Sequence, residues 1–160
     1  MKIYLDGCDG TGKTSVAEKL ANKYGCNIIR LTNKGSRSFR SYLEMFRCDN
    51  MVHDRTFLSE VIYPKYFGRP TELCTYNMSS LYEMLDEVHL FILTASPETI
   101  LKRVRERGDD FIDDYKKLID INNDYLKLAE KHGYTVIDTT NKSIDDVVEE
   151  IGGYLKDARW

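Results

Sequence analysis

Residues Gly7-Cys8-Asp9-Gly10-Thr11-Gly12-Lys13-Thr14 satisfy the pattern G-x-x-x-x-G-K-[ST] at every fixed position. An apolar run, Ile3-Tyr4-Leu5, leads into them, and an amphipathic stretch leads out, with Val16, Ala17, Leu20, Ala21 and Tyr24 on one stripe. That strand–loop–helix context gives the pattern its meaning. The glycines let backbone N–H groups turn inward around an anion, and the N-terminus of the following helix adds partial positive charge. The loop is therefore predicted to hold the phosphates of ATP through Gly7, Asp9, Gly10, Thr11, Gly12, Lys13 and Thr14. Lys13 should reach the β- and γ-phosphates, and the Thr14 hydroxyl should ligate magnesium.

A strand that feeds such a loop belongs in a parallel sheet. Further apolar runs at 27–31, 51–53, 88–94 and 134–137 alternate with helical patterns. The run Val-His-Leu-Phe-Ile-Leu-Thr at 88–94 is almost continuously apolar, as in a strand covered on both faces. Helices are predicted over 12–24, 97–107 and 113–131, and from Ser143 onward. Ser96 caps the second, with Pro97 and Glu98 in its first turn, and Ser-Ile-Asp-Asp at 143–146 resembles a capping box. The expected fold is α/β, a five-stranded parallel sheet with helices on both faces, of the P-loop NTPase, nucleotide-kinase type. The first strand should be central, flanked by those beginning near Met51 and Val88. A chain of 160 residues suits one domain. The stretches 33–50 and 67–80 look irregular and read as ligand-covering surface.

Composition excludes several alternatives. A net charge of −3 offers no broad basic surface for duplex nucleic acid. No stretch reaches the roughly 20 apolar residues of a membrane helix, and Met1-Lys2-Ile3 runs straight into a strand with no signal peptide before it. Cys8, Cys26, Cys48 and Cys74 are widely spaced, against zinc or a disulfide framework and in keeping with a reducing cytoplasm.

Two more motifs narrow the chemistry. Val52-His53 ends in Asp54-Arg55, and a helix follows. In a parallel α/β sheet the carboxyl ends of strands line the ligand crevice. Asp54 is thus expected beside the phosphate loop, holding a magnesium-bound water or accepting a proton, while Arg55 clamps an acceptor phosphate. Asp54 as a mere helix cap is the bland alternative. Arg103 and Arg107 are four residues apart and share a helix face ahead of Gly108-Asp109-Asp110. A mobile arginine-bearing lid near 103–112 would neutralise charge on a transferring phosphoryl group and exclude water. The acceptor region is expected near 33–80, with Arg37, Phe39, Tyr63 and Arg69 as candidates together with Arg30 at the end of the second strand. The adenine should lie near the loop Thr139–Lys142, against Thr140 and Asn141.

Asp6-Gly7 through Thr14, then Asp54-Arg55 with Ser59 and Tyr63, then Ser96-Pro97-Glu98 leading to Arg103 and Arg107-Gly108, resemble the thymidylate kinase family. Val136-Ile137-Asp138-Thr139 resembles the family's end, so the likeness runs through nearly the whole chain. It implies that Asp9 contacts the acceptor sugar and that Arg55 holds the acceptor phosphate near the γ-phosphate. Gly10 stands where some members carry a catalytic arginine, which implies that Arg103 and Arg107 supply that charge. The chain departs from the family in carrying Pro64 after Tyr63, where glutamine is usual, and in being short between Lys34 and Met51.

The expected activity is ATP- and magnesium-dependent transfer of the γ-phosphate to a nucleoside monophosphate, dTMP or a related deoxynucleotide, as in nucleotide biosynthesis. A deoxynucleoside kinase acting on a 5′-hydroxyl is the alternative, and a polynucleotide 5′-kinase stands behind it. A guanine-reading switch would need N-K-x-D, but Asn141-Lys142 is followed by Ser143-Ile144. The partner is a small nucleotide, with no membrane or duplex nucleic acid, and a homodimer is left open.

Overall fold

The computed structural model describes residues 1–32, 38–71, 73–85, 88–108 and 115–157. In chain order the elements are β1 (Lys2–Gly7), α1 (Lys13–Tyr24), β2 (Asn27–Arg30), α2 (Phe39–Arg47), β3 (Met51–Asp54) and α3 (Leu58–Phe67). They continue with α4 (Thr75–Leu85), β4 (His89–Thr94), α5 (Pro97–Arg107), α6 (Tyr115–His132), β5 (Thr135–Asp138) and α7 (Ile144–Asp157). The strands form one five-stranded sheet in the order β2-β3-β1-β4-β5, every pairing parallel. β1 is central, flanked by β3 and β4, as the sequence predicts.

The sheet is covered on both faces, and its residues alternate between two cores. Ile3, Leu5, Val52, Phe91, Leu93 and Ile137 pack against α1 and α7. Tyr4, Leu90 and Ile92 turn the other way, toward a cluster built with Tyr42, Phe57, Ile62, Ile100 and Tyr125. This period of two on a sheet with no solvent face explains the unbroken apolar runs. Helix ends follow their caps. Ser96 accepts from the Thr99 N–H at 3.3 Å, and Gly108 closes α5 in the left-handed conformation. Ser143 and Asp146 cap α7 reciprocally, each side chain accepting from the other's backbone N–H.

Two stretches read as irregular contain helices. α2 lies within 33–50 and α4 within 67–80 and beyond. Each buries only an i, i+4 pair, Tyr42 with Phe46 and Leu81 with Leu85. Such a narrow stripe among polar residues is a weak periodic signal, and it is packing on the core that holds these helices. Among the described residues no helix is long and apolar enough to cross a membrane.

His53, on β3 between β2 and β1, is 1% exposed, its ring stacked on Tyr4 at 4.1 Å between centroids. Burial, with the Lys2 charge adding, pushes its pKa from 6.5 down to about 4. The folded state therefore keeps His53 neutral while the unfolded chain takes up a proton below pH 6.5. Stability should fall as pH drops from 6.5 toward 4, by about 3 kcal/mol from this residue. Urea unfolding of wild type and His53→Phe at pH 7 and pH 4.5 checks this. The variant should lose distinctly less stability between the two.

Candidate active site

The carboxyl end of β1 sets the geometry. Gly7 has φ 137°, and a Cβ there would lie 2.2 Å from the Leu93 carbonyl oxygen of β4. Gly10, at φ 82°, presses on α5: a Cβ would lie 2.9 Å from the Ile100 carbonyl oxygen and 3.0 Å from Val104 Cγ2. Gly12 caps α1 in the left-handed conformation. The loop is thus wedged between β4 and α5, and only glycine fits at both contact points.

Lys13 folds back under the loop and donates to the Cys8 carbonyl at 2.5 Å. Burial, followed by the Arg55 charge, lowers its pKa to about 8. The Thr14 hydroxyl donates to Asp54 Oδ2 at 2.8 Å, so Asp54 lies beside the phosphate loop. It does not cap α3, whose N-cap position is Phe57. The same Asp54 oxygen accepts from Arg30 Nε at 3.1 Å, and Arg30 Nη2 reaches Glu18 at 2.9 Å. Thr14 and Asp54 form a pair of hard oxygen donors. That suits magnesium, which takes few protein oxygens and fills its remaining positions with phosphate and water.

Across the loop, Arg55 forms an ion pair with Asp9, and the Tyr63 hydroxyl donates to the other Asp9 oxygen at 2.9 Å. The Arg55 guanidinium also lies 5.0 Å from the centre of the Tyr63 ring. Burial works to raise the Asp9 pKa, but Arg55, Lys13 and the Tyr63 hydrogen bond outweigh it, and the carboxyl stays below its ordinary range. Between these groups lies a cavity of about 150 Å³, lined by Asp9, Lys13, Thr14, Asp54, Arg55 and Arg107 among others.

A second cavity, about 290 Å³, opens on the far side of Gly10 and Gly12. Arg103, Arg107, Thr139, Lys142, Ile144 and Val147 contribute to it. The two Arg103 terminal nitrogens donate to the Gly10 carbonyl at 3.3 Å, to Thr139 Oγ1 at 2.9 Å and to the Thr139 carbonyl at 2.8 Å. Arg107, one turn later, lines both cavities.

The remaining sequence candidates scatter. The Thr140 hydroxyl is occupied by the Ser96 N–H and Asp138, and Thr139 and Lys142 line the second cavity where Thr140 and Asn141 were expected. Phe39, the first residue of α2, packs on the core. Arg69 stacks on Phe67, 5.0 Å from the ring centre, and lines neither cavity. Arg37 and residues 109–112 of the expected lid lie outside the described residues. Glu18 and Tyr125 were not singled out, and Asp6 and Thr139 were named only within motifs, with no role of their own, although all four are woven into the site. Only Asp6, abutting the first glycine, left a local signal.

No family profile matches the chain. A probable thymidylate kinase of Methanocaldococcus jannaschii is 29% identical over 185 residues, covering 98% of this chain and 96% of the relative. A putative adenylate kinase of Pyrococcus furiosus is 27% identical, covering 94% of this chain and 82% of its own. The crystal structure of the YorR protein of Bacillus subtilis, in complex with phosphorylated GDP, superposes with a TM-score of 0.83 at 24% identity. That match covers 98% of this chain and 96% of YorR. The chain has a P-loop nucleotide-kinase fold related to the thymidylate and adenylate kinases.

The wedge at Gly7 is open to test. Gly7→Ala combines a forbidding φ with a backbone clash and should cost more than about 2 kcal/mol. Gly153→Ala, in α7 with open space where its Cβ would go, should gain roughly 0.5–1 kcal/mol. Denaturant midpoints of the two variants should move in opposite directions.

Proposed function

We propose that the chain transfers the γ-phosphate of ATP to a nucleoside monophosphate, with dTMP or a related deoxynucleotide as acceptor. One observation carries the reading: Lys13 and the phosphate loop line the same small cavity as the Arg55–Asp9 pair. A nucleotide hydrolase needs one phosphate cradle. Here a second cation, with a carboxylate and a tyrosine hydroxyl beside it, lies across from the first. That set suits an acceptor phosphate and sugar, and the thymidylate kinase named above supports a deoxynucleotide.

Lys13 would neutralise the β- and γ-phosphates, and Arg55 would hold the acceptor phosphate in line with them. Asp9 and Tyr63 would take the acceptor sugar. Thr14 and Asp54 would hold magnesium, which offsets charge between the phosphates when bound. Gly10 is pressed against α5, so a side chain there would displace the helix. The extra charge for transfer must come from elsewhere, and Arg107, which borders both cavities, is placed to give it. Arg103 is already held by the Gly10 carbonyl and by Thr139. Its planar group is pre-set as a wall for the donor base, a different task from the catalytic one expected from its spacing.

ADP release with ATP, magnesium and each deoxynucleoside monophosphate or deoxynucleoside tests the reading. A monophosphate should be turned over fastest. Turnover of nucleosides alone, or ATP hydrolysis without any acceptor dependence, would overturn it. In the same assay Arg107→Ala should lower kcat by about 10²- to 10³-fold. Arg103→Ala should instead raise the ATP KM about tenfold and leave kcat within about threefold.

A further inference from the structure

Asp6 is fully buried at the end of β1 and touches neither cavity. Its carboxylate collects five hydrogen bonds from three parts of the chain. Oδ1 accepts from the Gly7 N–H at 2.9 Å, the Tyr125 hydroxyl of α6 at 2.8 Å and the Ser59 hydroxyl of α3 at 3.3 Å. Oδ2 accepts from the Thr56 N–H at 2.8 Å and the Thr56 hydroxyl at 2.6 Å. The Thr56 oxygen in turn accepts from the Leu58 N–H at 3.1 Å, at the first residue of α3.

Arg55 lies next to this hub and is itself unusual. Its φ is 83°, a conformation that costs a non-glycine residue on the order of 1–3 kcal/mol and persists only where its surroundings hold it there. On one side its N–H is held by the Leu5 carbonyl at 2.9 Å. On the other, Thr56 is fastened twice to Asp6. Its side chain is gripped as well: Arg55 Nη1 donates to Ser59 Oγ at 3.3 Å, and Ser59 leans on Asp6 and Tyr125. If Asp9 turns to the acceptor sugar, the Ser59–Asp6 arm is the one that stays on Arg55.

We infer that Asp6 is a positioning residue that aims Arg55 at the acceptor phosphate, through the Thr56 backbone and the Ser59 hydroxyl. The inference rests on the reading of Arg55 as the acceptor clamp. Asparagine cannot replace Asp6 quietly, because each carboxylate oxygen faces a backbone N–H and an amide NH₂ would meet one of them. Ser59→Ala removes only the side-chain arm and keeps the hub.

The test is a double-mutant cycle in acceptor kcat/KM, with stability followed alongside. Variants are Asp6→Asn, Ser59→Ala and Arg55→Ala, with each of the first two also combined with Arg55→Ala. Ser59→Ala should lower acceptor kcat/KM about tenfold, and Asp6→Asn by more, while the ATP KM holds. In the Arg55→Ala background each should cost less than about twofold more. Full, additive losses in that background, or equal changes in the ATP KM, would overturn the inference and leave the Arg55 role standing. Near-normal turnover by Arg55→Ala would sink the Arg55 role itself, and the inference with it. If Asp6→Asn does not fold, the Ser59 cycle decides alone.

Discussion

β1 can end in a phosphate loop only because Gly7 has no side chain. Its backbone lies so close to the Leu93 carbonyl that a Cβ would sit 2.2 Å from it. This contact presses the loop onto the end of β4 and turns it under α5, where Gly10 meets Ile100 in the same bare-backbone fashion. The loop then has no room for a side chain at either contact. Lys13 is drawn inward, and the further cations around the loop come from outside it: Arg30 at the end of β2, Arg55 after β3, and Arg103 and Arg107 from α5. The division of labour between loop and surroundings is thus a steric consequence of two glycines.

The cations around the loop are held by internal partners. Lys13 rests on the Cys8 carbonyl, Arg55 on Asp9 and Ser59, Arg30 on Asp54 and Glu18, and Arg103 on Gly10 and Thr139. Groups fixed in this way would need less ordering to bind a polyanion. Their strengths differ with exposure. The Arg30–Glu18 pair is about half exposed and contributes little. The Arg55–Asp9 pair is largely buried, and losing one member would leave the other charge uncompensated. Phosphates would thus exchange easily with the outer pair and only in compensated form with the inner one.

Much of this was legible in the residues. The last four strands fall within a residue of the apolar runs at each end, and β1 runs two residues past Leu5; β3, β1 and β4, inside the sheet under two helical layers, are the most continuously buried. The bounds of α5 follow from Ser96, Pro97 and Gly108, and Asp54 reaches Thr14 because the end of β3 and the first turn of α1 face one crevice. Where the outcome rests on contacts remote in sequence, the residues are silent. Tyr125 lies 119 positions from Asp6, and nothing near either marks the bond between them. Spacing puts Arg103 and Arg107 on one face, but the docking of α5 on Gly10 ties Arg103 to Thr139 and leaves Arg107 at the junction of the cavities. The helices α2 and α4 went unread because their apolar stripes are a single turn wide.

The central claim is that two anion sites, one built on Lys13 and one on Arg55, face each other across the phosphate loop. A crystal structure with a dinucleoside polyphosphate joining adenosine to deoxythymidine tests it most directly. The account predicts the adenine between Arg103 and the loop after β5, with the phosphate chain running past Lys13 to Arg55 and the second sugar beside Asp9 and Tyr63. An adenine bound elsewhere, or a phosphate chain that leaves the Lys13 loop without meeting Arg55, would contradict it.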